Sequence, residues 1–377
     1  MKIGFLSSLD LNLYLFRLDI MKRLLRDGHE VIAIVPHGDH FDKIGEIGVK
    51  MVDYSLSRGS LSPISATSSI LELSKILKSL NLDLLHTFTV KPNIFGTFAG
   101  KIAGVPKIVN LVEGLGSFYI DNSLKSKIVR KIIETSYKIS FRFAQKVIFV
   151  NSDDPEYLES KGIIPKEKIH IIKSVGVDTD FYQMKNVSDE VQRNLRENLG
   201  ITNQKVIIMI ARAILHKGTL DFYKSAEILK EQNYKFLFVG GLDEGNKFGM
   251  SRDFMNSGNV NWLDFRNDIR ELIAISDLVV LPSYREGVPR TLLEASSMGK
   301  PIIGTDVVGV REAVDNGENG FLIPIESPKI LSEKISQILE NENLQKEMSD
   351  KSRQKAVSEF EIQNIVEKYI KFYSNII

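Results

Sequence analysis

The chain has 377 residues, 43% of them apolar and 26% charged. That length predicts two domains of roughly 150 to 200 residues each, and the composition excludes a disordered chain and a polytopic membrane protein. Lys and Arg number 49 against 48 Asp and Glu, so no net charge points to a nucleic-acid partner, and with no Cys there are no disulfides, thiolate metal sites or cysteine nucleophiles. The opening MKIGFLSSLDLN is too short an apolar run for a signal peptide, and no stretch reaches the ~18 apolar residues of a spanning helix. The expectation is a soluble, cytoplasmic, two-domain protein.

In chain order, apolar runs recur at KIGFLS (2–7), EVIAIVP (30–36), DLLHTF (83–88), KIVNLV (107–112), KVIFVN (146–151) and KIHIIKSV (168–175). Each is aliphatic over nearly its whole length, as parallel strands covered on both faces are. Between the first two, Leu13, Phe16, Ile20 and Leu24 fall at helical spacing, and Gly28 stands where that helix would stop. The pattern restarts after a polar stretch with KVIIMIA (205–211), KFLFVG (235–240), DLVVLP (277–282) and PIIGT (301–305). Strands alternating with helices predict an α/β class with two doubly wound, Rossmann-like domains, residues 1–180 and 181–377. A closing helical pattern within 360–377 either caps the second domain or returns to the first. Two such domains usually face each other across a cleft, with ligands at the C-terminal ends of the strands.

Motifs narrow the chemistry. No glycine follows the first strand before Phe16, so a dinucleotide fingerprint is missing there; Gly240, Gly241 and Gly245 read better as a tight turn, and no Walker A spacing occurs. In LPSYREGVPRTLLEASSMGKP (281–301) a buried strand ends at Pro282, and a loop then carries Glu286. A helix beginning near Arg290 carries Glu294. A loop carboxylate beside helix N-terminal amides suits a ligand with hydroxyls at one end and phosphate at the other. Arg212 and Lys217, in IMIARAILHKG (208–218), follow the first strand of the second domain, where two cations neutralise a diphosphate. The competing readings are a helix cap with a solvated face for the carboxylates, and surface bases for the cations.

ARAILHKG, EGVPRTLLE with its seven residues between glutamates, and SVGVDTDFY together resemble the donor half of retaining glycosyltransferases of family four, which have the GT-B fold. The resemblance spans essentially the whole chain, including EGLGSFYID (113–121). It is strongest to members that add N-acetylgalactosamine to a bacillosamine-type sugar on undecaprenyl diphosphate in bacterial N-linked protein glycosylation. It implies a UDP-sugar donor, a polyprenyl-diphosphate-linked acceptor and no metal or other cofactor. Arg212 and Lys217 would hold the diphosphate and stabilise the leaving anion. Glu294 would hold the ribose hydroxyls, and Glu286 the donor sugar, with the amides of Gly287 and Val288 and the helix start at Thr291 nearby. The base would lie against residues 263–268, which include Arg266. Many members have His where this chain has Glu113; a carboxylate there contacts the donor sugar or orients the acceptor, or else caps a Gly-rich turn.

Other features weigh less. Asp178 and Asp180 form a D-x-D better read as a turn, and His37, Asp39, His40 and Asp42 read as a solvated loop rather than a metal site. His86 ends a strand, in ligand contact or in packing. Arg17, Arg58 and Lys91 are candidates for an acceptor diphosphate. Residues 123–146 carry seven Lys and Arg against one acid, with Ile128, Ile132, Ile133 and Ile139 between them. That is a membrane-surface helix or a core helix with a basic face; a lipid-linked acceptor favours the former, on the inner face of the cytoplasmic membrane. A transferase for capsule or lipopolysaccharide, a sugar-nucleotide epimerase of the same fold, and a sugar-nucleotide-binding protein without catalysis remain alternatives.

Overall fold

The computed structural model describes residues 1–54 and 63–376. Contacts divide it into one unit of residues 1–173 with 363–377 and a second of residues 174–362. The division lies seven residues before the expected 180/181. Val177 forms a parallel bridge with Glu361, and its amide donates to Phe360 O at 2.8 Å, so the stretch from Ser174 onward is tied to the second unit.

The first unit is a seven-stranded parallel sheet in the order β3-β2-β1-β4-β5-β6-β7. Its strands are β1 (Lys2–Leu6), β2 (Glu30–Val35), β3 (Lys50–Asp53), β4 (Leu84–Phe88), β5 (Lys107–Val112), β6 (Lys146–Phe149) and β7 (Ile169–Ile171). β1, β2, β4 and β5 are almost wholly buried, as their unbroken apolar runs require. One core layer is built on Leu6, Ile32, Ile34, Leu73, Leu77, Leu85 and Ile108, and another on Val112, Tyr137, Phe141, Val147 and Phe149. The run after β1 is two helices, Asp10–Phe16 and Leu18–Arg26, where the periodicity predicts one; they meet at Arg17 with φ −128° and ψ −6°. The terminal helix Ile362–Ile376 packs Tyr369 and Tyr373 into this first unit.

The second unit repeats the plan with six parallel strands, in the order β10-β9-β8-β11-β12-β13. These are β8 (Lys205–Ile210), β9 (Tyr234–Val239), β10 (Val260–Trp262), β11 (Leu278–Leu281), β12 (Ile302–Thr305) and β13 (Gly320–Ile323). In both sheets the connections reverse direction between two adjacent strands, β1 and β4 in the first and β8 and β11 in the second. Crossovers leaving such a pair run to opposite sides, which opens a crevice at the C-terminal strand ends.

A buried lysine completes the second core. Lys300 donates to Ala274 O at 2.9 Å and Ser276 O at 2.7 Å, at the C-terminal end of the helix Ile269–Ala274. Burial lowers its pKa from 10.5 to about 8. The folded protein therefore binds this proton less readily than the unfolded chain. The resulting penalty is full below pH about 8, shrinks as pH rises towards 10.5, and is absent above it. Wild type is expected to gain on the order of 1–3 kcal/mol over Lys300→Met across that window. Denaturant unfolding followed at Trp262, the single Trp of the chain, reads the difference.

Candidate active site

The loops at the β8 and β11 ends are locked together. Beyond β8 the chain makes a short turn, Leu215–Lys217, closed by Gly218 in the left-handed region at φ +78°. His216 O accepts from Tyr284 N at 2.9 Å and from Ser283 Oγ at 3.1 Å, both in the loop after β11. Glu286 N in turn donates to Val308 O at 3.1 Å. Held in this way, Glu286 accepts from Lys217 Nζ at 2.5 Å and from Ser283 Oγ at 2.6 Å through the same oxygen, Oε1. The pair is mostly shielded, with side-chain exposures of 22% for Lys217 and 10% for Glu286. A lysine with three donors, one of them on Glu286, keeps hydrogen-bonding capacity for an anion.

Arg212 stands apart from that pair. Its guanidinium is exposed and donates to Asp243 Oδ2 at 2.6 Å, and Asn246 Nδ2 reaches the same oxygen at 3.0 Å. The structure thus gives each cation its own carboxylate, Glu286 for Lys217 and Asp243 for Arg212. Glu294 sits inside the helix Arg290–Ser297, bonded to Arg290 Nε at 2.9 Å and to the Tyr182 hydroxyl. Burial pushes its carboxyl up, against the pull of Arg290 and Tyr182. Val288 is buried, Thr291 is half-buried in the first turn of that helix, and Gly287 O packs under Gly309. Arg266 closes a fork onto Asp268 at 2.8 and 2.5 Å, and this holds the Asp268 carboxyl below the usual range. Sequence reasoning missed Asp243, Ser283 and Asn246. For Asp243 and Asn246 the available signal was acid and amide side chains in LDEGN, directly after a buried strand; Ser283 lies in the 281–301 segment, three residues before Glu286.

In the first unit, Glu113 lies in the loop after β5. It accepts from Arg17 NH2 at 2.6 Å and from Asn12 Nδ2 at 2.9 and 3.2 Å. Arg17 is not the surface base expected for an acceptor diphosphate. Its side chain is fully buried and its charge is spent on Glu113, because the junction between the first two helices faces inward. Lys91 is half-buried at the helix start after β4, and Arg58 lies outside the described residues. His86 is a core residue: its Nδ1 lies 2.7 Å from the Tyr373 hydroxyl, and burial and then Arg17 hold its pKa well below 6.5. Asp178 Oδ1 accepts from the amides of Asp180 and Phe181 at 3.0 and 2.7 Å, which makes D-x-D a turn. Among the described residues, no group of three His, Asp or Glu side chains is placed to hold a metal ion.

Two parallel doubly wound sheets, each carrying its charged loops at the C-terminal strand ends, define a GT-B glycosyltransferase fold. A model described as glycosyl transferases group 1 matches residues 191–355, and one described as glycosyl transferase 4-like matches residues 2–151. The chain is 41% identical, over its whole length and 99% of the relative, to the N,N'-diacetylbacillosaminyl-diphospho-undecaprenol alpha-1,3-N-acetylgalactosaminyltransferase of Campylobacter jejuni. A UDP-Gal:alpha-D-GlcNAc-diphosphoundecaprenol alpha-1,3-galactosyltransferase of Escherichia coli is 28% identical over 84% of this chain and 82% of its own. Among solved structures, Anabaena HepE in complex with UDP and glucose matches all of both chains with a TM-score of 0.80 at 21% identity. The chain belongs to the group 1 glycosyltransferases and is an enzyme of that family.

Gly218 tests the interlock. A Cβ there would stand 2.1 Å from Pro282 O, in a backbone region that other residues avoid. Gly218→Ala is expected to lower stability by about 2 kcal/mol or more and to reduce transfer as the two loops separate. Thermal unfolding and a UDP-release assay check both.

Proposed function

We propose that the protein transfers N-acetylgalactosamine from UDP-GalNAc, with retention, to a bacillosamine-type sugar on polyprenyl diphosphate, in bacterial protein N-glycosylation. The observation that carries this reading is the 41% identity, over the entire chain, to the Campylobacter jejuni transferase. The second unit takes the donor. Lys217 and Arg212 receive the diphosphate, exchanging part of their present contacts with Glu286 and Asp243 for its oxygens, and stabilise the anion that develops as the glycosidic bond breaks. Glu286 takes the sugar hydroxyls through the oxygen that Lys217 and Ser283 leave open, Oε2. Glu294 lies under the ribose, and Gly287, Val288 and Thr291 line the helix start, where free amides favour phosphate. Residues 263–268, with Arg266, lie against the base. The acceptor hydroxyl is deprotonated by the departing phosphate on the same face of the sugar, so no protein nucleophile and no metal is assigned. Glu113 touches a sugar hydroxyl from the first unit, and Lys91 is retained as a contact for the acceptor diphosphate.

The helix Leu124–Phe143 supports a membrane-facing role on the cytoplasmic side. Ser126, Tyr137, Ser140 and Phe141 face the core, while Leu124, Ile128, Ile132, Ile139 and Phe143 are exposed on the opposite side. Lys127, Lys131, Lys138 and Arg142 run along one flank of that apolar stripe. An apolar stripe bordered by bases fits the interface of an anionic bilayer, at ~1 kcal/mol per base near the surface. Among the described residues no helix is long and apolar enough to cross a membrane.

A donor panel of UDP-GalNAc, UDP-GlcNAc, UDP-Gal and UDP-Glc, with and without a polyprenyl-diphosphate aminosugar and in EDTA, tests the transfer. UDP release is expected with UDP-GalNAc only when the acceptor is present; release only with another donor overturns the sugar assignment, and none without metal overturns metal independence. Lys217→Ala is expected to cut kcat by about 100- to 1,000-fold, the scale for removing a preorganised donor from a developing anion. Flotation with phosphatidylglycerol vesicles is expected to carry the wild type. Ile128→Glu/Ile132→Glu is expected to stay behind, and equal flotation of the two would remove the helix from the membrane.

A further inference from the structure

Arg17 is the bulkiest of the fully buried side chains among the described residues. Its guanidinium stands 5.1 Å from the Phe88 ring centroid and 5.9 Å from that of Tyr369, which belongs to the terminal helix. NH1 donates to Phe16 O at 3.0 Å and NH2 to Glu113 Oε1 at 2.6 Å. Arg17 Nε and, around it, His86 Nε2 and the Tyr369 hydroxyl are buried without a hydrogen-bond partner among the described residues. Each such atom costs stability, and an ion pair with one member buried adds little of its own. A cluster arranged for stability alone would be apolar.

What the cluster does accomplish is to fix a carboxylate. Glu113 keeps 21% of its side chain exposed; its Oε1 accepts from the buried guanidinium and from Asn12 Nδ2, and its Oε2 accepts from the same Asn12 amide. An ionised carboxylate has about four acceptor sites, so the open side of Oε2 remains for a substrate hydroxyl. The Phe88 and Tyr369 rings pack against the buried Arg17 and limit the freedom of its fork. Burial and then Arg17 hold the neighbouring His86 well below its ordinary pKa, which disfavours a second cation beside the guanidinium.

We propose that Arg17, packed against Phe88 and Tyr369, is the positioning residue for Glu113, so that the helix Ile362–Ile376 helps to set where this carboxylate stands. The inference rests on the reading that Glu113 touches a sugar hydroxyl during transfer. A carboxylate held in place before substrate arrives contributes to kcat, because the ordering of the group is already done when the transition state forms. Lysine at position 17 carries the charge without the fork, so it restores the positioning only in part.

The test is a double-mutant cycle on kcat, with UDP-GalNAc and a polyprenyl-diphosphate aminosugar and with near-UV circular dichroism on every variant. Glu113→Gln and Arg17→Met are each expected to lower kcat by about 10- to 100-fold with little change in donor KM, and Arg17→Lys to recover part of that loss. In the Glu113→Gln background, Arg17→Met is expected to add less than about threefold, because it acts through a group already disabled. Tyr369→Leu is expected to follow Arg17→Met in direction, and to lose more than Tyr369→Phe, which keeps the ring. If Arg17→Met does not fold, Tyr369→Leu is carried through the same cycle. An unchanged kcat in Glu113→Gln overturns the role of Glu113 and the inference with it. A loss in Glu113→Gln with fully multiplicative effects of Arg17 or Tyr369 keeps Glu113 and overturns the positioning.

Discussion

The contact between Lys217 and Glu286 is the constraint on which the strand-end loops of the second unit depend. The two residues are 69 positions apart, and they meet because β8 and β11 are neighbours in the sheet and both loops leave from the same end. Left-handed Gly218 lets the first loop lie directly on Pro282, and His216 O holds the second loop through Ser283 and Tyr284. The result is a cation whose position is settled before any ligand arrives. In a site shielded from water such a preorganised charge is worth far more than a mobile one, since nothing has to be reordered as negative charge develops.

The first unit meets the same need by different means. Its sheet also reverses direction between two neighbours, β1 and β4, but the charge is on the inside and the carboxylate at the rim. Arg17 is fully buried while Glu113 is partly open, whereas in the second unit both partners of the Lys217–Glu286 pair keep some exposure. Because Tyr369 and Tyr373 come from the end of the chain, this unit is complete only when the terminal helix is in place. The helix Leu124–Phe143 belongs to the same unit and turns apolar side chains outward, which a helix serving only the core has no reason to do.

Much of the fold was legible because buried parallel strands leave long apolar runs. The ten runs identified all contain strands, from KIGFLS to PIIGT. The three strands that were missed, β3, β10 and β13, are each three or four residues long, lie at sheet edges and are partly exposed; polar residues interrupt β3 and β10, and the apolar run of β13, Phe321–Ile323, is only three residues long. Among the site residues, Lys217 and Glu286 were legible as charged groups just past strand ends, and the structure pairs them. Their separation from Arg212 was not legible, because Asp243 captures that guanidinium from a third loop. Arg17 was misread for a related reason: helical periodicity places its neighbours, but the break between Phe16 and Leu18 turns its side chain into the core.

By itself the sequence determined the α/β class, the two doubly wound domains, the strand-end location of the charged groups and the family resemblance. These follow from periodicity and from spacing within single loops, which are local properties of the chain. Only the tertiary structure decided which carboxylate answers which cation, that Arg17 supports Glu113 instead of meeting solvent, and that the final helix returns to the first unit. Those outcomes depend on distances between segments far apart in the chain. Because Coulomb and hydrogen-bond energies fall off over a few ångströms, charge types alone do not rank the possible partners.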